Sequence, residues 1–162
     1  MIVVADSSPI IALVNVGHVH VLPKLFGKVV IPPEVRAELR QPSRPDAVHQ
    51  LIASDPGWLV EHRPTVVAPI PSLHAGEAAA ISLAEELKAD LLLIDEVQGR
   101  KAAAERHIPV TGTVGVLELA ADRGLLDLAQ AFAVLKRTDF WISHELLDER
   151  LKLFANSPNR KP

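Results

Sequence analysis

Short unbroken apolar runs alternate along this chain with stretches of helical spacing. Leu91-Leu92-Leu93-Ile94 is the strongest run, four large apolar residues leading straight into Asp95-Glu96. It lacks polar alternation, which predicts a strand buried on both faces, as in a parallel sheet covered by helices. Ile2-Val3-Val4-Ala5, ending at Asp6, and Lys28-Val29-Val30-Ile31 predict two more strands. Trp58-Leu59-Val60-Glu61 predicts an edge strand and His107-Ile108-Pro109-Val110-Thr111 a short one. Helices are predicted between them. Ser8 is a suitable N-cap and Pro9 a suitable first helical residue, so a helix is expected over 9–14, followed by a short one over 20–25. Pro32-Pro33 opens another, with Val35 and Leu39 on its buried stripe, and a further helix is expected over 46–53. After a proline-punctuated loop, a long helix starts at Ser72 or His74 and runs through Leu87, with Ile81, Leu83, Ala84 and Leu87 facing inward. Helices over 97–106, 114–122 and 128–135 follow, and Ser143 caps a last one reaching about Leu153. The alternation predicts an α/β domain over 1–155, with a central, mostly parallel sheet flanked by helices, and a fraying polar tail at 156–162.

Composition narrows the chemistry. The chain has 162 residues, enough for one real core, and no cysteine, so any metal site must use oxygen or imidazole. Its longest apolar runs fall far short of the ~20 residues a membrane span needs. The N-terminus reaches Asp6 without the basic region of a signal peptide, and the expectation is a cytoplasmic protein with no membrane partner. A net charge of −3 excludes a strong non-specific affinity for nucleic acid, while leaving room for a local basic patch.

Four acids stand out by position. Asp6 and Asp95 each end a predicted strand, and two strands of the same sense put both carboxylates along one edge of the sheet, where ligands bind in open α/β folds. Glu38 lies beside the Val35–Leu39 stripe at the edge of the core. Glu77 opens the helix that leads into the Leu91 strand, so its end of that helix lies on the same side as Asp95. Gly76 beside it permits close backbone approach. Clustered carboxylates repel unless they share protons or bind a cation. Hard oxygen ligands in a chain without cysteine point to Mg²⁺ or Mn²⁺, and such sites serve phosphodiester hydrolysis.

Each acid also has a plainer reading. Asp6 could cap a helix, Glu38 could be a solvated helix acid, and Glu77 could favour a helix N-terminus. Glu96 could be a solvated neighbour or orient a metal ligand. Arg100 and Lys101 could hold a phosphate or form a solvated helix face. His74, one helical turn before Glu77, could enter the site or lie on the surface. Ser7 and Ser8 could bond substrate or Asp6. Leu117, Leu119, Ala120 and the Phe140-Trp141 segment read as core or dimer contact rather than base-stacking platforms.

Taken in order, Val4-Ala5-Asp6-Ser7-Ser8-Pro9, the Pro33-Glu34-Val35 helix reaching Glu38, Gly76-Glu77 before an alanine-rich helix, and Leu93-Ile94-Asp95-Glu96 followed by Gly99-Arg100 and Gly112-Thr113 resemble the PIN-domain nucleases. The likeness covers Ile2 to about Leu153 and extends to a bacterial and archaeal branch similar to the ribonuclease toxins of toxin–antitoxin modules. It implies a PIN-like three-layer sandwich and a metal-dependent endoribonuclease acting on single-stranded RNA. Asp6, Glu38, Glu77 and Asp95 would be catalytic and, with Glu96, would hold Mg²⁺ or Mn²⁺. Ser7, Arg100, Lys101 and Thr113 would meet substrate. The resemblance further implies a homodimer joined by helical surface and an antitoxin-like protein partner. Glu77 stands where many members carry Asp, Glu96 stands where this branch often has a second Asp, and Thr113 stands near a position that often has a further polar or acidic group. Two rival readings are a non-catalytic PIN-like binding module and a receiver-like phosphoacceptor. The second normally needs paired acids after the first strand, where this chain has Ser7-Ser8.

Overall fold

Five short strands form one parallel sheet in a computed structural model that describes residues 1–157. They are β1 (Val3–Ala5), β2 (Val29–Ile31), β3 (Leu59–Glu61), β4 (Leu91–Leu93) and β5 (Val110–Thr111), in the order β3-β2-β1-β4-β5. Every pairing is parallel, with Val4 opposite Val30 and Val3, Val4 and Ala5 opposite Leu91, Leu92 and Leu93. The unalternating runs sit where they should: Val3, Val4, Ala5, Leu92, Leu93 and Ile94 are fully buried in the interior strands. The expected edge strand, β3, is at an edge. The chain winds outward from β1 to β3, then returns across it to β4. The strand order therefore reverses between β1 and β4, and ligands of open α/β sheets bind beyond the carboxyl ends at such a point.

Helices flank the sheet, giving the α/β sandwich. α1 (Ser7–Asn15), α2 (Val21–Phe26), α3 (Pro33–Leu39), α4 (Asp46–Ala53), α5 (Ala75–Glu86) and α6 (Val97–Glu105) belong to a compact unit spanning Met1–Thr113. α5 packs on β1 and β4 and against α3 and α6. Its alanines at 78–80 let it lie close to the sheet, and Ile81 and Leu83 fill the space between. From Val114 onward a second compact unit contains most of α7 (Thr113–Asp122), α8 (Leu128–Leu135) and α9 (His144–Ala155). Within it Arg150 forms a two-pronged bond to Glu118, at 2.7 and 2.8 Å. The tail expected at 156–162 lies, beyond Ser157, outside the described residues.

Three local expectations need correction. α1 begins at Ser7, not Pro9, and Asp6 occupies the N-cap position without making a side-chain capping bond. β5 begins at Val110 rather than His107. His107 adopts a left-handed φ of 57° as helix α6 closes, Ile108 N–H bonds back to Ala103, and Pro109 has no N–H to give a ladder. Trp141 is 98 % exposed and belongs to no core, whereas Leu117 and Ala120 are buried.

Candidate active site

Asp6 follows the last residue of β1, and its N–H donates to the Leu93 carbonyl at 2.9 Å. That bond fixes Asp6 level with the end of β4, with Asp95 two residues beyond Leu93, so the two strand-end acids share one edge of the sheet. Asp6 is 1 % exposed, and its Oδ1 is buried with no hydrogen-bond partner. Burial pushes its carboxyl up to about 7. The Ser7 N–H opposes that rise, and the charges of Glu38, Glu77 and Asp95 add to it.

Glu38 comes from the last turn of α3 and accepts the Ser7 hydroxyl at 2.5 Å. It can reach the site because α5 opens on a glycine. A methyl group at Gly76 would fall on the Glu38 carboxylate, so the absent Cβ is the space that carboxylate uses. Glu77 is buried in the first turn of α5, and its carboxylate accepts the His74 N–H at 3.2 Å. Burial raises its pKa; the His74 N–H opposes this, and Glu96 and Glu38 reinforce it. Asp6, Ser7, Glu38 and Glu77 line one cavity of about 290 Å³, together with Ser8, Gln41, Arg44 and His74.

Asp95 is held differently. Its Oδ1 accepts the Thr113 N–H and its Oδ2 accepts the Thr113 hydroxyl, both at 2.7 Å. Burial still raises its pKa, against those two bonds and the nearby Arg100 charge. Gly112 makes the approach possible, since a Cβ there would lie 2.5 Å from Asp95 Oδ1 and 2.9 Å from Arg100 Nη1. Glu96 is exposed and caps α6, accepting the Gly99 N–H at 2.8 Å. Lys101 is exposed on α6 and does not line the cavity.

The expected constellation is thus assembled in two parts. Asp6, Glu38 and Glu77 converge on the cavity with Ser7, and Asp95 forms a unit with Thr113 and Arg100 on the same edge. Among the described residues, no three His, Asp or Glu side chains are grouped, as they are placed, so that they could hold a metal ion. The donors nevertheless suit a hard divalent cation: all are carboxylate oxygens, one is buried without a partner, and three of the acids have raised pKa values. Gln41 and Arg44, which sequence reasoning misses, line the same cavity. The recurrence of arginine at 36, 40 and 44 is the one signal that could have pointed to them.

No described helix is long and apolar enough to cross a membrane. Neither the curated proteins nor the solved structures yield a match to this chain. A family model does: DUF3368, described as a PIN domain, matches residues 2–156. PIN domains are generally nucleases, and a parallel sheet with an acid-lined cavity at the carboxyl end of its central strand is the architecture found here. The chain belongs to this PIN-domain family.

Proposed function

We propose that the protein is a divalent-metal-dependent endoribonuclease that hydrolyses phosphodiester bonds of single-stranded RNA at the Asp6–Glu38–Glu77 cavity. The observation that carries this reading is Asp6, a buried strand-end carboxylate with a partnerless oxygen, lining one cavity with two further acids. Such an arrangement destabilises the fold unless a cation or proton joins it. Asp6, Glu38 and Glu77 would hold the ion, with Asp95 on the same edge. Mg²⁺ or Mn²⁺ bound there would supply Lewis acidity and charge neutralisation toward a phosphodiester. The Ser7 hydroxyl keeps Glu38 aimed into the cavity. Glu77 is tied to the His74 N–H, which fixes its reach. Thr113 holds Asp95, and Arg100 beside it is a cation available to a phosphate oxygen.

An extension of the reading makes the protein a toxin with an antitoxin-like partner; it rests on the family likeness. A homodimeric state is favoured by α9, where Leu146 and Leu153, seven residues apart, are 45 % and 69 % exposed.

The experiment is a fluorescence-based cleavage assay on single-stranded RNA with Mg²⁺, Mn²⁺ or chelator, run beside Mn²⁺-dependent thermal shifts. Wild type should cleave and be stabilised only with metal, and Asp6→Asn should do neither. Cleavage that persists in chelator, or in Asp6→Asn, would overturn the assignment.

A further inference from the structure

The connection between α3 and α4 carries cations that the acidic cavity leaves unexplained. Gln41 organises them. Its carbonyl oxygen lies 2.7 Å from His49 Nε2, and its side-chain oxygen accepts Arg44 Nη2 at 3.2 Å. Arg44 Nε also donates to the Glu38 carbonyl at 2.9 Å. Gln41 and Arg44 line the acidic cavity, while Arg40 and His49 line a second, open depression of about 640 Å³. One residue therefore links a carboxylate pocket to a shoulder where Arg40 and His49 stand beside the acids Asp55 and Glu61, which face Arg36. In that depression Arg36 is already committed, its Nε 2.7 Å from Glu61. Among the described residues, Arg40 and Arg44 take part in no ion pair, and Arg40 is exposed.

Capping of α3 accounts for only part of this. A cation near a helix C-terminus is favourable, and Arg44 does bond a last-turn carbonyl. That carbonyl and Gln41 use two of the five guanidinium donors and leave the rest on a pre-positioned fork suited to phosphate. Among the described residues, the Arg40 side chain bonds to nothing. A polyanion approaching three carboxylates also needs flanking positive charge, which a chain of net charge −3 must supply locally.

We propose that the α3–α4 connection, through Arg40 and Arg44 set around Gln41, seats backbone phosphates of a single-stranded nucleic acid beside the one presented to the acidic cavity. This rests on the nucleic-acid reading of that cavity but not on its chemistry.

The test is anisotropy of a short fluorescein-labelled single-stranded RNA in EDTA over a salt series. Arg40→Gln/Arg44→Gln is compared with Lys24→Gln/Lys28→Gln. The control pair makes the same charge change, with Lys28 just before β2, at the sheet edge opposite the acids. The arginine pair should lower affinity about tenfold or more and flatten the slope of log affinity against log salt by about 1.4, about 0.7 for each phosphate no longer neutralised. The lysine pair should change affinity less than about twofold, as distant surface charge is screened. Arg40→Gln alone, at an exposed unbonded position, keeps the test valid if the double variant fails to fold, and should itself weaken binding. Equal losses in both pairs, unchanged binding in the arginine pair, or equally tight competition by poly-glutamate would overturn the proposal. Cleavage is scored separately with Mn²⁺. Arginine-dependent binding without any cleavage supports this surface and sinks the nuclease reading, while cleavage with arginine-independent binding does the reverse.

Discussion

Replacing Asp6 by Asn should stabilise the metal-free protein at neutral and alkaline pH. The Asp6 carboxyl is pushed from 3.8 to about 7 in the fold, and each pH unit of such a difference is worth about 1.36 kcal/mol. Ionised Asp6 therefore costs the native state about 4 kcal/mol. The sign follows from the raised value. Below 3.8 both folded and unfolded chains hold the proton, and nothing is lost. Between 3.8 and about 7 the unfolded chain releases it while the native chain keeps it, so stability falls as pH rises through that window and stays low above it. Glu77 and Asp95 are shifted in the same direction and add a smaller slope of their own. For a chain of this size about 4 kcal/mol corresponds to roughly 8–16 °C in melting temperature. The assay is calorimetry in chelator from about pH 4 to about pH 8 for wild type and Asp6→Asn. Wild type should lose melting temperature across the range, and the variant should lose much less and melt higher at the alkaline end. Mn²⁺ should restore the wild type, because a ligand bound only to the native state stabilises it, and should leave the variant unmoved. A wild-type melting temperature that is flat or rising in chelator, or a variant that melts lower throughout, would refute the reasoning.

Four further outcomes are expected. Asp95→Asn keeps one acceptor for the Thr113 N–H, so metal-free stability should hold within about 1 kcal/mol, while calorimetric Mn²⁺ affinity and RNA cleavage fall. Gly76→Ala, a change that usually favours a helix by about 1 kcal/mol, should leave stability in urea unfolding unchanged within about 1 kcal/mol yet abolish cleavage, because the methyl displaces the flexible Glu38 carboxylate from the cavity. Arg36→Ala should cost about 2 kcal/mol, and Arg36→Met less, since the arginine ties α3 to edge strand β3 through Glu61 and the Leu59 carbonyl while Glu61 stays partly hydrated. Sedimentation at micromolar concentration should show a dimer that Leu146→Glu/Leu153→Glu converts to monomer; an unaffected dimer would place the interface elsewhere.

Much of the scaffold is legible in the sequence because its signals are local. The runs at 2–5 and 91–94 lack alternation, and only a doubly covered strand tolerates that. Gly76 announces a close approach before the approaching group is known. What escapes is set by groups distant in sequence. Capping rules start the first helix at Pro9 because they assume that the side chain turns back on its own helix. Asp6 lies at the N-cap position but makes no capping bond with its side chain, and one of its oxygens stays buried without a partner. Thr113 looks like a substrate-facing hydroxyl, although its two bonds go to Asp95, eighteen residues away, across the β4–β5 pairing. Gln41 and Arg44 lie in a loop without periodicity, and only the fold reveals what they face. Residue type alone assigns Trp141 to core or interface, and its exposure removes the first option.

Asp95 and Asp6 test each other. Both acids end adjacent parallel strands, both are raised by burial, and both could have been kept for structure alone. Asp95 shows what structural satisfaction looks like in this position: a half-buried carboxylate with each oxygen accepting a bond from Thr113. Asp6 sits one strand away with an oxygen that nothing meets, and the acids around it raise its cost rather than lower it. On the proposed metal-dependent reading, the unsatisfied acid is the one kept for a partner outside the chain. The division also assigns labour. Asp6, with Glu38 and Glu77, would supply the ligands from the cavity they line, whereas Asp95 is held with Thr113 and Arg100 as a pre-formed unit on the same edge. Loss of Thr113 would then act on the site through Asp95 and not through any ligand bond of its own.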